Sequence, residues 1–116
     1  MTDLAPGAPT DAEDTKIITL AAAARARTQA AQGACLRDTD GRTYAGTSIA
    51  LAHLTLSAVQ VVVAMAVSSG AQGAEAVAVA GEPESDEDHD VLADLDCPVV
   101  WRADARGQAI GSVPRE

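Results

Sequence analysis

The densest group of side chains able to do chemistry lies between residues 82 and 90, where carboxylates flank one histidine. Its members are Glu82, Glu84, Asp86, Glu87, Asp88, His89 and Asp90. Hard cations prefer carboxylate oxygens, but a calcium loop also needs a glycine at its sharp turn, and this segment has none. Its composition therefore favours a solvated acidic loop that leads into the acidic first turn of a helix.

The other reactive side chains are isolated from one another in sequence. Cys35 lies in an apolar stretch that predicts a strand, and Cys97 precedes Pro98 at the start of a later one. Two cysteines in an intracellular protein are expected to be reduced, and Cys35 is typical of a small core residue. His53 has no candidate partner nearby in the sequence. It could line a pocket, or it could be a structural or merely exposed histidine.

Periodicity and turn residues predict three helices and five strands. Thr10 and Glu13 have the spacing of a capping box at the start of the first helix. Asp40 and Gly41 predict a hairpin between the first two strands. The predicted helices cover residues 11–27, 56–69 and 86–95, and the predicted strands cover residues 33–37, 43–49, 74–80, 98–103 and 108–113. This order predicts a three-layer α/β domain over residues 10–116, after a disordered lead at residues 1–9.

The predicted helix at residues 56–69 is apolar on all sides. Thr55 or Ser57 is its expected cap, and Gly70 is its expected stop. A helix of this kind must be buried between layers or covered by another subunit.

Composition narrows the class of protein. The 116 residues are 47% hydrophobic but only 2% aromatic, so the core is built from small aliphatic side chains. Each of these buries little area, and we expect subunit association to add to the stability of the fold. The net charge of −9 argues against nonspecific binding of nucleic acids or anionic membranes, which requires a basic face. The N-terminal residues lack the apolar core of a signal peptide, and the longest apolar run is too short for a membrane span. We therefore expect a cytoplasmic protein.

Residues 45–70, AGTSIALAHLTLSAVQVVVAMAVSSG, resemble the heart of the small zinc-dependent cytidine deaminases. In that family a strand ending in Gly-Ala-Asn-Val-Glu-Asn leads into a helix that opens with Cys-Ala-Glu or His-Ala-Glu. The resemblance places Thr47 and Ile49 at the Asn and Glu that bind the ribose, and His53 where the family usually has Gly. It places Ser57 at the first zinc ligand and Val59 at the catalytic Glu.

Residues 82–95, EPESDEDHDVLADL, resemble the family's Pro-Cys-Gly-x-Cys-Arg-Gln turn and the helix that follows it. Ser85 and Asp88 then stand at its two Cys ligands, and Ala30 stands at the Phe that faces the sugar. In the family a zinc-bound water attacks the base while the Glu transfers protons. Val59 cannot transfer a proton, and a serine hydroxyl is a poor zinc ligand.

The resemblance implies a mixed five-stranded sheet with helices on both faces, over roughly residues 13–112. It also implies a homo-oligomer, either a dimer or a tetramer. Because every chemical position is altered, we predict no catalytic residue, no metal and no cofactor. The positions left over would line a vestigial pocket: Ala30, Thr47, Ile49, His53, Ser57, Val59, Ser85 and Asp88.

Three functions remain open at this point. The first is a catalytically inactive, self-associating binding or scaffolding module. The second is a cytidine or nucleoside deaminase with an altered site. The third is a small-molecule sensor that uses the vestigial pocket.

Overall fold

The computed structural model describes residues 7–104 and 106–114. In those residues the elements are α1 (Ala12–Thr28), β1 (Gln32–Asp38), β2 (Thr43–Thr47), β3 (Ile49–Ala50), β4 (Thr55–Leu56), α2 (Ala58–Ser68), β5 (Ala74–Gly81), α3 (Asp86–Ala93), β6 (Val99–Ala103) and β7 (Ala109–Pro114). Residues 1–6 of the predicted lead lie outside the described residues, and residues 7–9 belong to no helix or strand.

The main sheet has the strand order β2-β1-β5-β6-β7. β5 and β6 run parallel, and the other neighbouring pairs are antiparallel. α1 packs on one face through Ile17 and Ile18, while α2 and α3 pack on the other through Val59, Val62 and Leu92. The prediction of a three-layer α/β fold with a mixed five-stranded sheet is confirmed.

The central strand β5 faces a different core on each side. Its alanines, Ala76, Ala78 and Ala80, point toward α1, and Val77 and Val79 point toward α2 and α3. Small residues let α1 approach closely. The same closeness explains Gly33 on β1, where an added Cβ would overlap the backbone oxygen of Ala21.

Each predicted element differs from the observed one by one or two residues at one end or both, and two of these differences have a local cause. The N-cap of α1 is Asp11 rather than Thr10, and an Asp11 carboxylate oxygen accepts a hydrogen bond of 2.8 Å from the Glu13 N–H. The second strand ends at Thr47 instead of residue 49, because the Gln32 N–H donates to the Ser48 hydroxyl rather than to a backbone carbonyl and the ladder stops there. Ile49 then starts a separate two-stranded ladder in which it pairs with Leu56.

Helix α2 has one of its two predicted caps and its predicted stop, but it begins at Ala58 rather than at residue 56, because Leu56 of β4 pairs with Ile49. Ser57 is the N-cap, and Gly70 adopts a φ of 98° while the Ala71 N–H bonds to the Ala66 carbonyl, as in a Schellman motif. Only one face of the helix is buried, since Met65 is 40% exposed and Val67 is 52% exposed. The first of the two predicted alternatives, that this helix is buried on all sides between layers of the same chain, is therefore wrong. Among the described helices, none is long and apolar enough to cross a bilayer.

The predicted Asp-Gly hairpin joins β1 to β2 and is organised around Asp38. One oxygen of this buried carboxylate accepts the N–H groups of Asp40 and Arg42, each at 2.9 Å, and the other accepts the Tyr44 hydroxyl at 3.0 Å. Burial opposes the charge, but the hydrogen bonds from Arg42, Tyr44 and Asp40 outweigh it, so the pKa of Asp38 is lowered. Gly41 completes the turn with a φ of 86°.

We expect Asp38→Asn to lower the free energy of unfolding by about 1–3 kcal/mol at pH 7, because an amide cannot replace the charge-assisted hydrogen bonds. Since the folded pKa lies below the unfolded one, the carboxylate stabilises the fold above about pH 4, and this contribution disappears as the pH falls through the folded value. Urea unfolding from pH 7 to pH 2.5 measures the difference. Asp40→Asn, in the exposed part of the turn, is the control. A loss that stays constant down to pH 2.5 would contradict the assignment to charge.

Candidate functional site

The N-termini of α2 and α3 meet on one face of the sheet. The Ser57 hydroxyl at the start of α2 donates a 2.6 Å hydrogen bond to a carboxylate oxygen of Asp88 in the first turn of α3. Ser85 is the N-cap of α3 and bonds to the same Asp88. The structure thus brings together the three residues that the resemblance places at zinc ligands.

Both helix starts are closed by complete capping boxes. The Ser57 hydroxyl accepts the Gln60 N–H at 3.0 Å, and the Gln60 side-chain oxygen accepts the Ser57 N–H at 2.9 Å. Ser85 and Asp88 repeat the arrangement, with both bonds at 3.1 Å. The Ser57 hydroxyl therefore accepts a hydrogen bond from its own helix and donates one to the neighbouring helix.

Gln32 is a member of the site that sequence reasoning missed. Its side-chain oxygen accepts the Ala58 N–H at 3.1 Å, and its amide nitrogen donates to the carbonyls of Glu82 and Pro83 at 3.2 and 3.0 Å. This buried amide joins the start of β1 to the start of α2 and to the loop before α3. A polar residue directly before the uncharged run at residues 33–36 was the available signal.

The acidic run is solvated only in part. Glu82, Asp86, Glu87 and Asp90 are exposed, as predicted. The prediction is wrong for Asp88, which is 2% exposed, and for Glu84, whose side chain is 3% exposed. The Glu84 carboxylate lies 3.2 Å from the Arg102 Nε and 3.2 Å from the His89 Nε2. The ion pair with Arg102 fixes the loop before α3 to the neighbouring strand β6, and the contact with His89 connects the loop to α3.

The remaining predicted pocket residues lie on different elements and differ in burial. Val59 is fully buried in the core between α2 and the sheet. Thr47 pairs with Gly33 at the end of β2, and Ile49 lies in β3. Ala30 is half-buried in the connection after α1, and His53 is exposed at the tip of the β3–β4 hairpin.

Neither cysteine completes a metal-ligand set. Cys35 faces α1 on the opposite side of the sheet, and burial raises the pKa of its thiol to about 11. Cys97 is buried in the core beneath α2 and α3, and its thiol donates a hydrogen bond of 3.5 Å to the Val99 carbonyl. The prediction that Cys35 is a small core residue is confirmed.

The residues at the meeting point of α2 and α3 do not fit a zinc ion. Two are hydroxyls that stay protonated at neutral pH, whereas protein zinc sites use thiolate, imidazole or carboxylate ligands. Two oxygens on a tetrahedral zinc lie roughly 3.4 Å apart, at bond lengths of about 2.1 Å. The Ser57 and Asp88 oxygens are 2.6 Å apart and are joined by a hydrogen bond that the Ser57 hydroxyl donates. In the described ranges, no group of three or more His, Cys, Asp or Glu residues is placed to hold a metal.

Comparisons with known proteins identify the family and the structures that share this fold. Residues 10–107 match the family model described as cytidine deaminase-like. The crystal structure of cytidine deaminase from Burkholderia pseudomallei aligns with a TM-score of 0.73 and 23% identity, covering 85% of this chain and 90% of that one. Cytidine deaminase from Mycobacterium leprae aligns with a TM-score of 0.65 and 19% identity, covering 85% and 94%. No curated protein matches the sequence. The chain belongs to the cytidine deaminase-like family.

Proposed function

We propose that this chain is a catalytically inactive member of its family that associates with itself and serves as a binding or scaffolding module. The observation that carries the proposal is the closed hydrogen bonding of Ser57, Ser85 and Asp88. Deamination needs an activated water and a residue that transfers protons. Val59, buried in the core, cannot transfer a proton. A cytoplasmic location is part of the proposal, and it is supported by Cys35 and Cys97 lying in cores on opposite sides of the sheet, where they form no disulfide with each other.

We expect the purified protein to contain less than about 0.1 zinc per chain and to release no ammonia from cytidine or deoxycytidine, because the donor set is unsuited to zinc. Elemental analysis and an ammonia assay with added zinc measure the two properties. Ser57→Cys should remain inactive, since Val59 still provides no proton transfer. About one zinc per chain, together with zinc-dependent ammonia release, would contradict the proposal.

A cytidine or nucleoside deaminase with an altered site is the second candidate. The observation that favours it is that both structural neighbours described above are cytidine deaminases. Such an enzyme would need another source of activated water and another proton donor. The same ammonia assay separates it from the inactive module.

Self-association is supported by a long uncharged segment. No Asp, Glu, Lys or Arg occurs between Arg42 and Glu75, although the chain has 8 basic and 17 acidic residues. The segment supplies β2, the β3–β4 hairpin and α2. Among the described residues, four of the five exposed large apolar side chains belong to it: Leu51, Leu54, Met65 and Val67. Charge depletion of this kind is typical of the core of a protein interface.

Helix α2 and the edge strand β2 form one continuous part of this uncharged surface. An added Cβ on Gly46 of β2 would lie 2.8 Å from the Val61 side chain and 3.5 Å from the Met65 sulfur. α2 therefore rests directly on the edge strand, and its outer residues Met65 and Val67 extend the surface toward solvent.

The charge distribution favours a second copy as the partner. Two chains with a net charge of −9 repel each other, and contact through acidic surfaces would bring like charges together. A face without charges avoids this repulsion and offers a basic or acidic partner no ion pairs. Burying apolar side chains against the same side chains of a twofold-related copy removes them from water. We therefore propose a homo-oligomer, at least a dimer, built on this face.

A further inference from the structure

We infer that Ser57 and Asp88 form a metal-independent clasp that fastens the N-termini of α2 and α3 to each other. The two residues are 31 positions apart in the chain, and their 2.6 Å hydrogen bond joins two helices that each have their own cap. The inference concerns the site of the proposed function and rests on it in one respect, namely that no metal occupies the position.

Ser57 has a spare proton because capping uses only its oxygen as an acceptor. Its hydroxyl accepts the Gln60 N–H, which satisfies one unpaired donor of α2. The hydroxyl proton is not needed for this bond, and it points to Asp88 in α3. Two isolated capping boxes would not require the helices to meet, so this bond is an addition to capping.

The Asp88 carboxylate needs the hydrogen-bond donor that the Ser57 hydroxyl supplies. Its side chain is buried, with the residue only 2% exposed, and its second oxygen accepts the Ser85 N–H. A buried carboxylate must be satisfied by donors, and an O–H donor to a carboxylate at this distance makes a strong, charge-assisted bond. The positive ends of the α2 and α3 dipoles also favour a negative charge here. Removing Ser57 would leave one Asp88 oxygen buried without this donor.

Gln32 reinforces the clasp from β1. It accepts a hydrogen bond from the first N–H of α2 and donates two to the loop before α3. The two helix starts are thus connected twice, once directly and once through this buried amide. A structural metal stabilises a fold by tying separate elements together. Here hydrogen bonds connect the elements at the positions that the resemblance assigns to metal ligands.

A double-mutant cycle tests the clasp, using Ser57→Ala, Asp88→Ala and the double variant in thermal unfolding. We expect each single substitution to lower the Tm by about 5–10 °C, because each leaves a polar group of the pair without its partner. The double variant should lose clearly less than the sum of the two single losses, because the bond between Ser57 and Asp88 is lost only once while their separate cap bonds to Gln60 and Ser85 are each lost. Ser57→Thr keeps the hydroxyl and should recover most of the Tm lost by Ser57→Ala.

The control cycle combines Ser57→Ala with Asp11→Ala, which removes the cap of the separate helix α1, and its losses should add. If Asp88→Ala does not fold, Asp88→Val, which has no acceptor and a side-chain volume closer to that of Asp, replaces it in the cycle. Adding EDTA or zinc to the wild-type protein should change the Tm by less than about 1 °C.

Additive losses in the Ser57 and Asp88 cycle would overturn the clasp and would leave the zinc and ammonia results unaffected. A Tm that rises with zinc or falls with EDTA would overturn its metal independence. Ammonia release from cytidine would instead overturn the proposed function, whatever coupling the cycle gives. The failures of the two proposals can therefore be told apart.

Discussion

Val59→Glu is expected to lower the free energy of unfolding by about 3–5 kcal/mol at pH 7, enough to unfold much of a marginally stable domain. Val59 is fully buried in the core between α2 and the sheet, so a carboxylate there would lose water without gaining a donor. The substitution introduces the residue type that the family resemblance places at this position. The stability of this variant therefore shows whether position 59 faces a water-filled cleft or the core.

Denaturant unfolding at pH 7 and pH 4.5 provides the measurement. Burial raises the pKa of the introduced Glu, so its penalty is complete above the folded pKa and shrinks as the pH falls toward the unfolded value. Ala26→Glu adds the same charge to an exposed position of α1 and should cost less than about 0.5 kcal/mol. If Val59→Glu were as mild as this control, position 59 would open to water, and the altered-enzyme and sensor hypotheses would gain support.

Local signals predicted most of the elements because the groups that cap and terminate them are adjacent in sequence. Ser57 and Gln60 have capping-box spacing, and Gly70 has the positive φ that ends α2. The wrong cap at α1 has a simple origin, since Thr10 and Asp11 are both good caps and neighbours. Asp11 accepts the Glu13 N–H two residues on, a choice that residue type alone does not decide.

The site was predictable in its members but not in its contacts. The resemblance selected Ser57, Ser85 and Asp88, and the fold does bring them together. The resemblance did not predict that the Ser57 hydroxyl donates a hydrogen bond to Asp88, because that bond depends on how α2 and α3 pack. Gln32 was missed for the same reason, since its partners lie 26 to 51 residues away.

The uncharged face should fail as an interface when charges are placed on it. We expect the wild-type protein at micromolar concentration to have a mass of at least two chains, and the Met65→Glu, Val67→Glu double variant to have the single-chain mass of 11.7 kDa. Both side chains are substantially exposed in the single chain, so the substitutions should leave the fold intact. Across a twofold interface they would bury unpaired, mutually repelling carboxylates.

Light scattering gives the mass, and circular dichroism shows whether each variant is folded. Ile110→Glu is the matched control because Ile110 is a similarly exposed apolar residue, at 45%, and lies on β7 outside the uncharged segment. This variant should keep the wild-type mass, since the proposed interface does not include β7. A wild-type monomer, or equal dissociation by the β7 substitution, would contradict self-association through α2. A double variant that stays assembled would place the interface elsewhere. Charge depletion between Arg42 and Glu75 would then need another explanation.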